Sequence, residues 1–260
     1  MSIETDKVDP KNLTVLITGA TAGFGAAMVK RFHEAGSKVI LTGRRQERLD
    51  EMAKSLGNER VHTVKLDVRD SAAVEKMVDD LPAEFAKVDV LVNNAGLALG
   101  LEPAQSAVWD DWDTMIDTNI KGLTYCARAL LPGMCERDRG HIFNLGSVAG
   151  SYPYPGGNVY GATKAYVHQF SLNLRADLIG HNVRVTSIEP GLAHTEFSEV
   201  RFKGDTEKAK KPYQGIQPLR AEDVAETIFW AATMPRHVNI NRLEVMPVMQ
   251  AFNPFKFYKE

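Results

Sequence analysis

Three features of the sequence predict an α/β fold with a doubly wound parallel sheet of about seven strands and helices on both faces. Short, continuous apolar runs recur along the chain, longer amphipathic stretches separate them, and no interior linker, repeat or low-complexity tract interrupts the alternation. Continuously apolar strands belong to sheets covered on both sides, and strict alternation with helices makes the strands parallel. Right-handed crossovers then wind the sheet outward in both directions, which puts ligands at the carboxyl ends of the strands.

The elements follow in order. Residues 13–18 (LTVLIT) read as a buried strand that runs into the glycine-rich 19–25. Val29 and Phe32 fall on one face of the next helix, which Gly36 ends. Residues 38–42 (KVILT), 61–66 and 88–92 (VDVLV) are further strands, with a charged helix over 45–56 and another over 71–81. A long helix is predicted over 109–131, a strand over 141–145, a second long helix over 158–179 and a strand over 183–188. A helix over 221–233 and a strand over 239–245 complete the set. Only 192–218 lacks clear periodicity, and a stretch of that length inside an α/β protein suggests a substrate loop or lid. The reading is a polar N-terminal extension over 1–12 and one dinucleotide-binding and catalytic domain over 13–260.

Composition removes several classes of function. The 260 residues carry 31 Lys and Arg against 33 Asp and Glu, a net charge of -2, which gives no support to a nucleic-acid platform. No apolar stretch approaches the ~18 residues a membrane span needs, and the first twelve residues have no apolar core for a signal peptide, so a cytoplasmic protein is expected. Cys126 and Cys135 show no metal or redox spacing, and the seven histidines are scattered, so no metal is expected. Trp109 and Trp112 read as packing residues on their helix, and Met246 and Met249 as core or interface residues.

The chemistry-bearing residues gather at predicted strand ends. Thr18 to Gly25 (TGATAGFG) joins a strand to a helix. Its glycines permit a tight turn, and the helix amides can meet a pyrophosphate, with Gly19, Thr21, Ala22, Gly23, Phe24 and Gly25 as the contacts. At the end of the second strand an NAD site usually carries an acid; here stand Arg44 and Arg45, whose guanidinium groups suit the 2′-phosphate of NADP. Asp67 and Val68, after the third strand, are candidates for the adenine. Tyr160 and Lys164, four apart on a helix, share a face, and an ammonium there is expected to lower the phenol pKa by about 1–3 units. Ser147 follows the fifth strand, on the same rim as the glycine loop.

Together these motifs resemble the short-chain dehydrogenase/reductase family in its short, single-domain, Rossmann-like form. The match rests on Thr18–Gly25, Asn93-Asn94-Ala95-Gly96, Asn119, Ser147, Tyr160-x-x-x-Lys164 and Pro190-Gly191, in order across about 13–191. The resemblance implies an alcohol/carbonyl oxidoreductase in which Tyr160 is the acid/base and Ser147 steadies the carbonyl oxygen. It gives Lys164 the ribose and the tuning of the tyrosine, and Asn119 a water in the proton relay. It adds Asn94, Ala95, Gly96, Pro190, Gly191 and Thr195 to the cofactor contacts.

Within that family, 96–100 with Glu102-Pro103, 196–202 and 238–241 resemble the NADP-dependent 3-hydroxy acid dehydrogenases, a typically tetrameric group. Ala193-His194 departs from the group's pattern, which bears on substrate selection and not on reaction type. The implied substrate is a small hydroxy or oxo acid, with Ser147, Tyr154 and Tyr160 around the reacting group and Arg201 as a clamp for the carboxylate. Tyr152 and Pro155 are further wall candidates. A broad carbonyl reductase or sugar/steroid-type dehydrogenase is the alternative, and a non-catalytic dinucleotide sensor on the same fold a further one.

Overall fold

Successive side chains of a strand face opposite sides of a sheet, so a strand that is apolar at every position needs a core on each side. The computed structural model, which describes residues 7–252, has that arrangement. A 3-10 turn at Pro10–Asn12 leads into β1 (Thr14–Thr18), followed by α1 (Gly23–Glu34), β2 (Lys38–Gly43), α2 (Gln46–Ser55), β3 (Val61–Lys65), α3 (Ser71–Asp79) and β4 (Val90–Asn93). The chain continues through α4 (Trp109–Ile116), a π-helical turn (Asp117–Gly122), α5 (Leu123–Glu136), β5 (Gly140–Leu145), α6 (Asn158–Asp177) and β6 (Val183–Pro190). Two short helices, α7 (Phe197–Arg201) and α8 (Thr206–Lys210), precede α9 (Ala221–Thr233) and β7 (Arg242–Val245). Of the extension expected over 1–12, residues 1–6 lie outside the described residues, as do 253–260 at the other end.

The seven strands form one parallel sheet in the order β3-β2-β1-β4-β5-β6-β7. Val15 and Ile17 of β1, Val39 and Leu41 of β2, and Val90 and Val92 of β4 enter the core that α1 and α9 cover. Leu16, Ile40 and Leu91, one residue out of phase, enter the opposite core with α3, α5 and α6. The largest side chains on the first face, Phe32 and Phe143, are fully buried. Between β1 and β4 the strand order reverses, and there the crevice of a doubly wound sheet opens.

Several boundaries differ from the sequence expectation, and three stretches do so for a clear local reason. The helix expected over 109–131 takes a π-helical turn and then runs through Pro132 to Glu136, carried by burial of Leu130 and Met134. The last strand begins at Arg242, not at 239. Before it, the Asn239 side chain accepts from Val185 N at 2.8 Å and donates to Val185 O at 3.1 Å, replacing backbone pairing with amide pairing. The aperiodic 192–218 contains α7, α8 and a 3-10 turn at Lys211–Tyr213, too short to leave an amphipathic signature. Trp109 is a correction: it is exposed, its ring edge-on to Trp112, while Trp112 packs with the small cluster around Met115 and Tyr160. Among the described residues no helix is long and apolar enough to cross a membrane.

A buried guanidinium closes the far end of the first core. Arg184 donates from Nη2 to Ala232 O at 2.8 Å and from Nη1 to Met234 O at 3.3 Å, satisfying carbonyls at the C-terminus of α9. Burial holds its pKa down at about 10, still far above neutrality. Replacing it strands those acceptors in an apolar setting. Arg184→Met is expected to lower unfolding stability by ~2–4 kcal/mol, read from the urea midpoint at unchanged slope.

Candidate active site

The crevice is stitched at its base by side chain to backbone hydrogen bonds. Thr18, the last residue of β1, accepts on Oγ1 from Asn94 N at 3.0 Å and Ala95 N at 2.9 Å. In return Asn94 Nδ2 donates to Thr18 O at 2.8 Å and Gly19 O at 3.1 Å. The chain then turns through Gly19 (φ +66°) and Gly23 (φ +50°), left-handed conformations that glycine adopts without strain. A Cβ on Gly25 would run into Gly19 O, so α1 can start this close to β1 only with glycine there. The N-cap residue of α1, Ala22, supplies no side-chain acceptor, and the helix N-terminus borders the crevice with its amides available to an anion.

From this turn a cleft of about 590 Å³ runs along the carboxyl ends of the strands. One arm is lined by Gly19, Thr21, Ala22, Gly23, Phe24, Arg44, Arg45, Asp67, Val68, Asn94, Ala95 and Gly96. Arg45 donates from Nη2 to Thr21 Oγ1 at 3.1 Å, which ties the basic turn after β2 to the glycine turn. Asp67 is paired with Arg69 at 2.5 Å, and that hydrogen bond, with the nearby Arg44 charge, holds its carboxyl below the usual range. The other arm is lined by Ser147, Tyr154, Pro155, Tyr160, Lys164, Pro190, Gly191, Thr195 and Arg201.

Gly25 and Asn119 do not line the cleft; they lie behind its wall. Asn119, buried in the π-helical turn, accepts on Oδ1 from Leu97 N at 2.9 Å and donates from Nδ2 to Leu97 O at 2.8 Å and Thr163 Oγ1 at 3.1 Å. Thr163 donates in turn to the Tyr160 carbonyl at 2.7 Å, so the amide braces the first turns of α6. Tyr152 turns away from the cleft and donates to Glu244 at 3.1 Å. His194 sets its ring edge-on to Tyr213, centroids 4.7 Å apart, and is likewise not in the lining.

At the catalytic end, Ser147 caps the 3-10 turn Val148–Gly150, accepting from Ala149 N at 3.1 Å. Lys164 Nζ donates to Leu145 O at 2.7 Å and lies 5.8 Å from the Tyr160 ring centre. The expected lowering of the Tyr160 pKa by Lys164 does not occur. Burial pushes the phenol up to about 12, opposed by a hydrogen bond with Ser147 and by the Arg201 charge. The reason is that the ammonium is itself desolvated, brought down to about 8, and spends a proton on a backbone carbonyl. Arg201 bonds from Nη2 to Tyr154 OH at 2.7 Å and from Nε to Gly100 O at 3.2 Å, with its guanidinium carbon 5.5 Å from the Tyr160 ring centre.

Sequence reasoning missed several walls of this cleft. Gln250 borders Gly191 and accepts on Oε1 from Leu192 N at 2.7 Å. Tyr213 donates to Ala193 O at 3.1 Å and meets Ser198. Neither carries a motif; both arrive from segments far along the chain. Phe197, 5.7 Å from Tyr160 between ring centres, lies in 196–202, where the sequence alone gives it no role. Among the described residues no group of three or more His, Cys, Asp or Glu is placed to hold a metal ion.

Residues 13–206 match the family model described as short chain dehydrogenase. The chain belongs to the short-chain dehydrogenase family. Among family members, an NADP-dependent 3-hydroxy acid dehydrogenase YdfG from Salmonella typhi is 64% identical over 241 residues, 92% of this chain and 97% of the relative. Sulfoacetaldehyde reductase 2 from Chromohalobacter salexigens is 58% identical over 93% of this chain and 96% of its own length. The closed form of a serine dehydrogenase complexed with NADP+ superimposes with a TM-score of 0.91 at 60% identity, covering 95% of this chain and 99% of that one.

This short-chain dehydrogenase thus holds a buried lysine whose proton is bound less tightly in the folded chain than in the unfolded one. Its charging opposes folding below pH 8, and that opposition fades as the pH rises through about 8 toward the ordinary lysine value near 10.5. Unfolding stability of the wild type relative to Lys164→Met is therefore expected to increase between pH 7 and 10. Paired urea titrations across that range measure the difference; a value of wild type minus variant that stays constant or falls with pH would contradict the assignment.

Proposed function

We propose that this chain is an NADP-dependent oxidoreductase that interconverts a small 3-hydroxy acid and its oxo form. The observation that carries the reading is one cleft with an anion-receptive arm and a buried tyrosine facing a guanidinium. The glycine turn, the uncapped start of α1 and the Arg44–Arg45 corner fit a dinucleotide carrying a 2′-phosphate: the cradle at Gly25 excludes any Cβ, and two cations stand where a ribose phosphate would reach. The names of the relatives support the same cofactor and substrate class.

In this reading Gly19, Thr21, Ala22, Gly23 and Phe24 hold the pyrophosphate, with Gly25 making the close approach possible. Arg44 and Arg45 hold the 2′-phosphate, Asp67 and Val68 border the adenine, and Asn94, Ala95 and Gly96 line the middle of the site. Tyr160 and Lys164 take the nicotinamide ribose, while Pro190, Gly191 and Thr195 flank the ring. The bound nicotinamide supplies the hydride.

The remaining chemistry belongs to side chains of this chain. Burial keeps Tyr160 a neutral phenol at pH 7, the form needed to give a proton to a carbonyl oxygen. Ser147 and Tyr160 hydrogen-bond the oxygen on which negative charge develops. Lys164, at about 8, is poised to return a proton near neutrality, and Asn119 braces the Tyr160 turn from below. Arg201 then clamps the carboxylate, which leaves a short spacer between charge and carbonyl. Phe197 helps exclude water from the phenol.

Several further assignments belong to the same reading. Residues 13–260 act as one dinucleotide-binding and catalytic domain after a polar extension, with the loop over about 192–218 closing the substrate side. The exposed apolar Leu172 and Trp230, on α6 and α9, and Ile179, just beyond α6, support self-association, proposed as a homotetramer in the cytoplasm. A second substrate class, small sulfonates, is favoured by the sulfoacetaldehyde reductase relative, because a guanidinium accepts either anion.

Tyr160→Phe is expected to lower kcat by ~10²-fold or more while the NADPH dissociation constant, read by fluorescence, changes little. Near-normal turnover in that variant would remove Tyr160 from the chemistry. Arg201→Ala is expected to raise KM for a 3-hydroxy acid by at least about tenfold and to leave KM for its methyl ester nearly unchanged. An equal effect on both substrates would remove Arg201 from carboxylate recognition.

A further inference from the structure

Directly beneath the catalytic end lies a carboxylate for which the proposed reaction has no use. Glu189, in β6 next to Pro190-Gly191, is only 1% exposed. Burying a carboxylate is expensive unless donors or cations stand against it, and here α6 and β6 supply two donors to one oxygen and β7 a guanidinium beside the other. His168 Nδ1 lies 2.7 Å from Oε1, and Ser187 Oγ donates to the same oxygen at 2.9 Å. Arg242 Nη2, from β7, forms an ion pair with Oε2 at 2.6 Å without a hydrogen bond to it, is shared with Glu244, and donates to Ser151 Oγ at 2.8 Å.

The location of these partners gives the cluster its meaning. His168 lies one helical turn beyond Lys164 and two beyond Tyr160, on the same face of α6. Ser151 closes the 3-10 turn that Ser147 opens. The methylene stem of Glu189 lies under Gly146: a Cβ on that glycine would come within 3.0 Å of Glu189 Cγ. Gly146 N donates to Ile188 O at 2.7 Å, and Ser147 Oγ reaches the carbonyl of Pro190 at 3.4 Å, so the residues on either side of Glu189 hold the Ser147 turn. One buried carboxylate therefore joins the helix that carries Tyr160 and Lys164, the turn that carries Ser147, and the last strand.

We propose that Glu189 is a positioning residue that fixes the Ser147 turn against the Tyr160 face of α6, through His168 on one side and Arg242 with Ser151 on the other. The proposal rests on the oxidoreductase reading for its kinetic consequence, but not for its structural one. An apolar residue of similar volume would pack here without a desolvation cost; a carboxylate with donors from α6 and β6 and an ion pair from β7 adds direction, which packing alone does not. Misplacement of a proton donor by a fraction of an ångström acts on the reacting state more than on the binding of either partner.

Glu189→Gln keeps the shape and removes the charge, so that an amide NH2 must face either the two donors at Oε1 or the Arg242 guanidinium beside Oε2. The expected result is a fall in kcat of ~10–100-fold with KM for the 3-hydroxy acid and the NADPH dissociation constant within about twofold of wild type. The deuterium isotope effect with NADPD is expected to rise, and amide hydrogen exchange to quicken in residues 146–151. His168→Phe, which takes one donor from the edge of the cluster and leaves the carboxylate, is expected to give the same pattern more weakly, and serves as the test if Glu189→Gln does not fold. Unchanged kcat and unchanged exchange in 146–151 would overturn the proposal. So would a loss of kcat matched by equal losses of substrate and NADPH affinity, which marks general destabilisation. A wild-type protein that turns over no 3-hydroxy acid would overturn the functional reading instead; exchange in 146–151 then decides the role of Glu189 alone.

Discussion

At the point where β1 and β4 diverge, a sheet must give up its ladder of backbone hydrogen bonds, and the groups left over need other partners. Thr18 and Asn94 supply them. A hydroxyl accepts two amide protons from the far strand, and a side-chain amide returns two bonds to the near one. The crevice that results is closed at its base by this seam of four bonds. The glycine turn departs from it on one side, and the Asn94–Gly96 segment on the other, so the two arms of the cleft begin from the same few hydrogen bonds.

Above the seam the cleft is bounded by a loop anchored at several points. Arg48 pairs with Glu196 at 3.2 Å from the basic side, and Lys203 pairs with Asp111 at 2.8 Å from α4. Between them Gly100 and Arg201 exchange bonds, with Gly100 N donating to Arg201 O at 3.1 Å. Exposed ion pairs such as Arg48–Glu196 contribute little each, so the partly buried Arg201 contacts set where the segment settles.

Much of this was legible in the sequence for a physical reason: burial on both faces writes itself into a strand as an unbroken apolar run, and 39–41 or 90–92 could hardly be anything else. The four-residue spacing of Tyr160 and Lys164 was equally legible, because helix geometry is local. What escaped depends on distant segments. The proton affinity of Tyr160 is governed by burial and opposed by the Arg201 charge, with Phe197 and Arg201 brought against it from about forty residues along the chain, and no spacing announces that. Asn239 imitates a strand residue with its side chain, so the last strand looks longer in the sequence than its ladder is. Gln250 has no local pattern at all, and Glu189 reads in sequence as an ordinary acid before a proline.

The π-helical turn at Asp117–Gly122 constrains how this chain can vary in length. It fits one residue more into the helix than regular winding would, and the excess sets Asn119 against Leu97 while Leu123, Cys126 and Leu130 keep their buried positions. Deleting one residue there would close the turn into a regular helix and leave the apolar stripe in phase, but would remove the widened turn that sets the Asn119 amide against Leu97. Insertions and deletions that surface loops absorb freely are therefore closed to this helix, whose irregular winding has to be inherited whole.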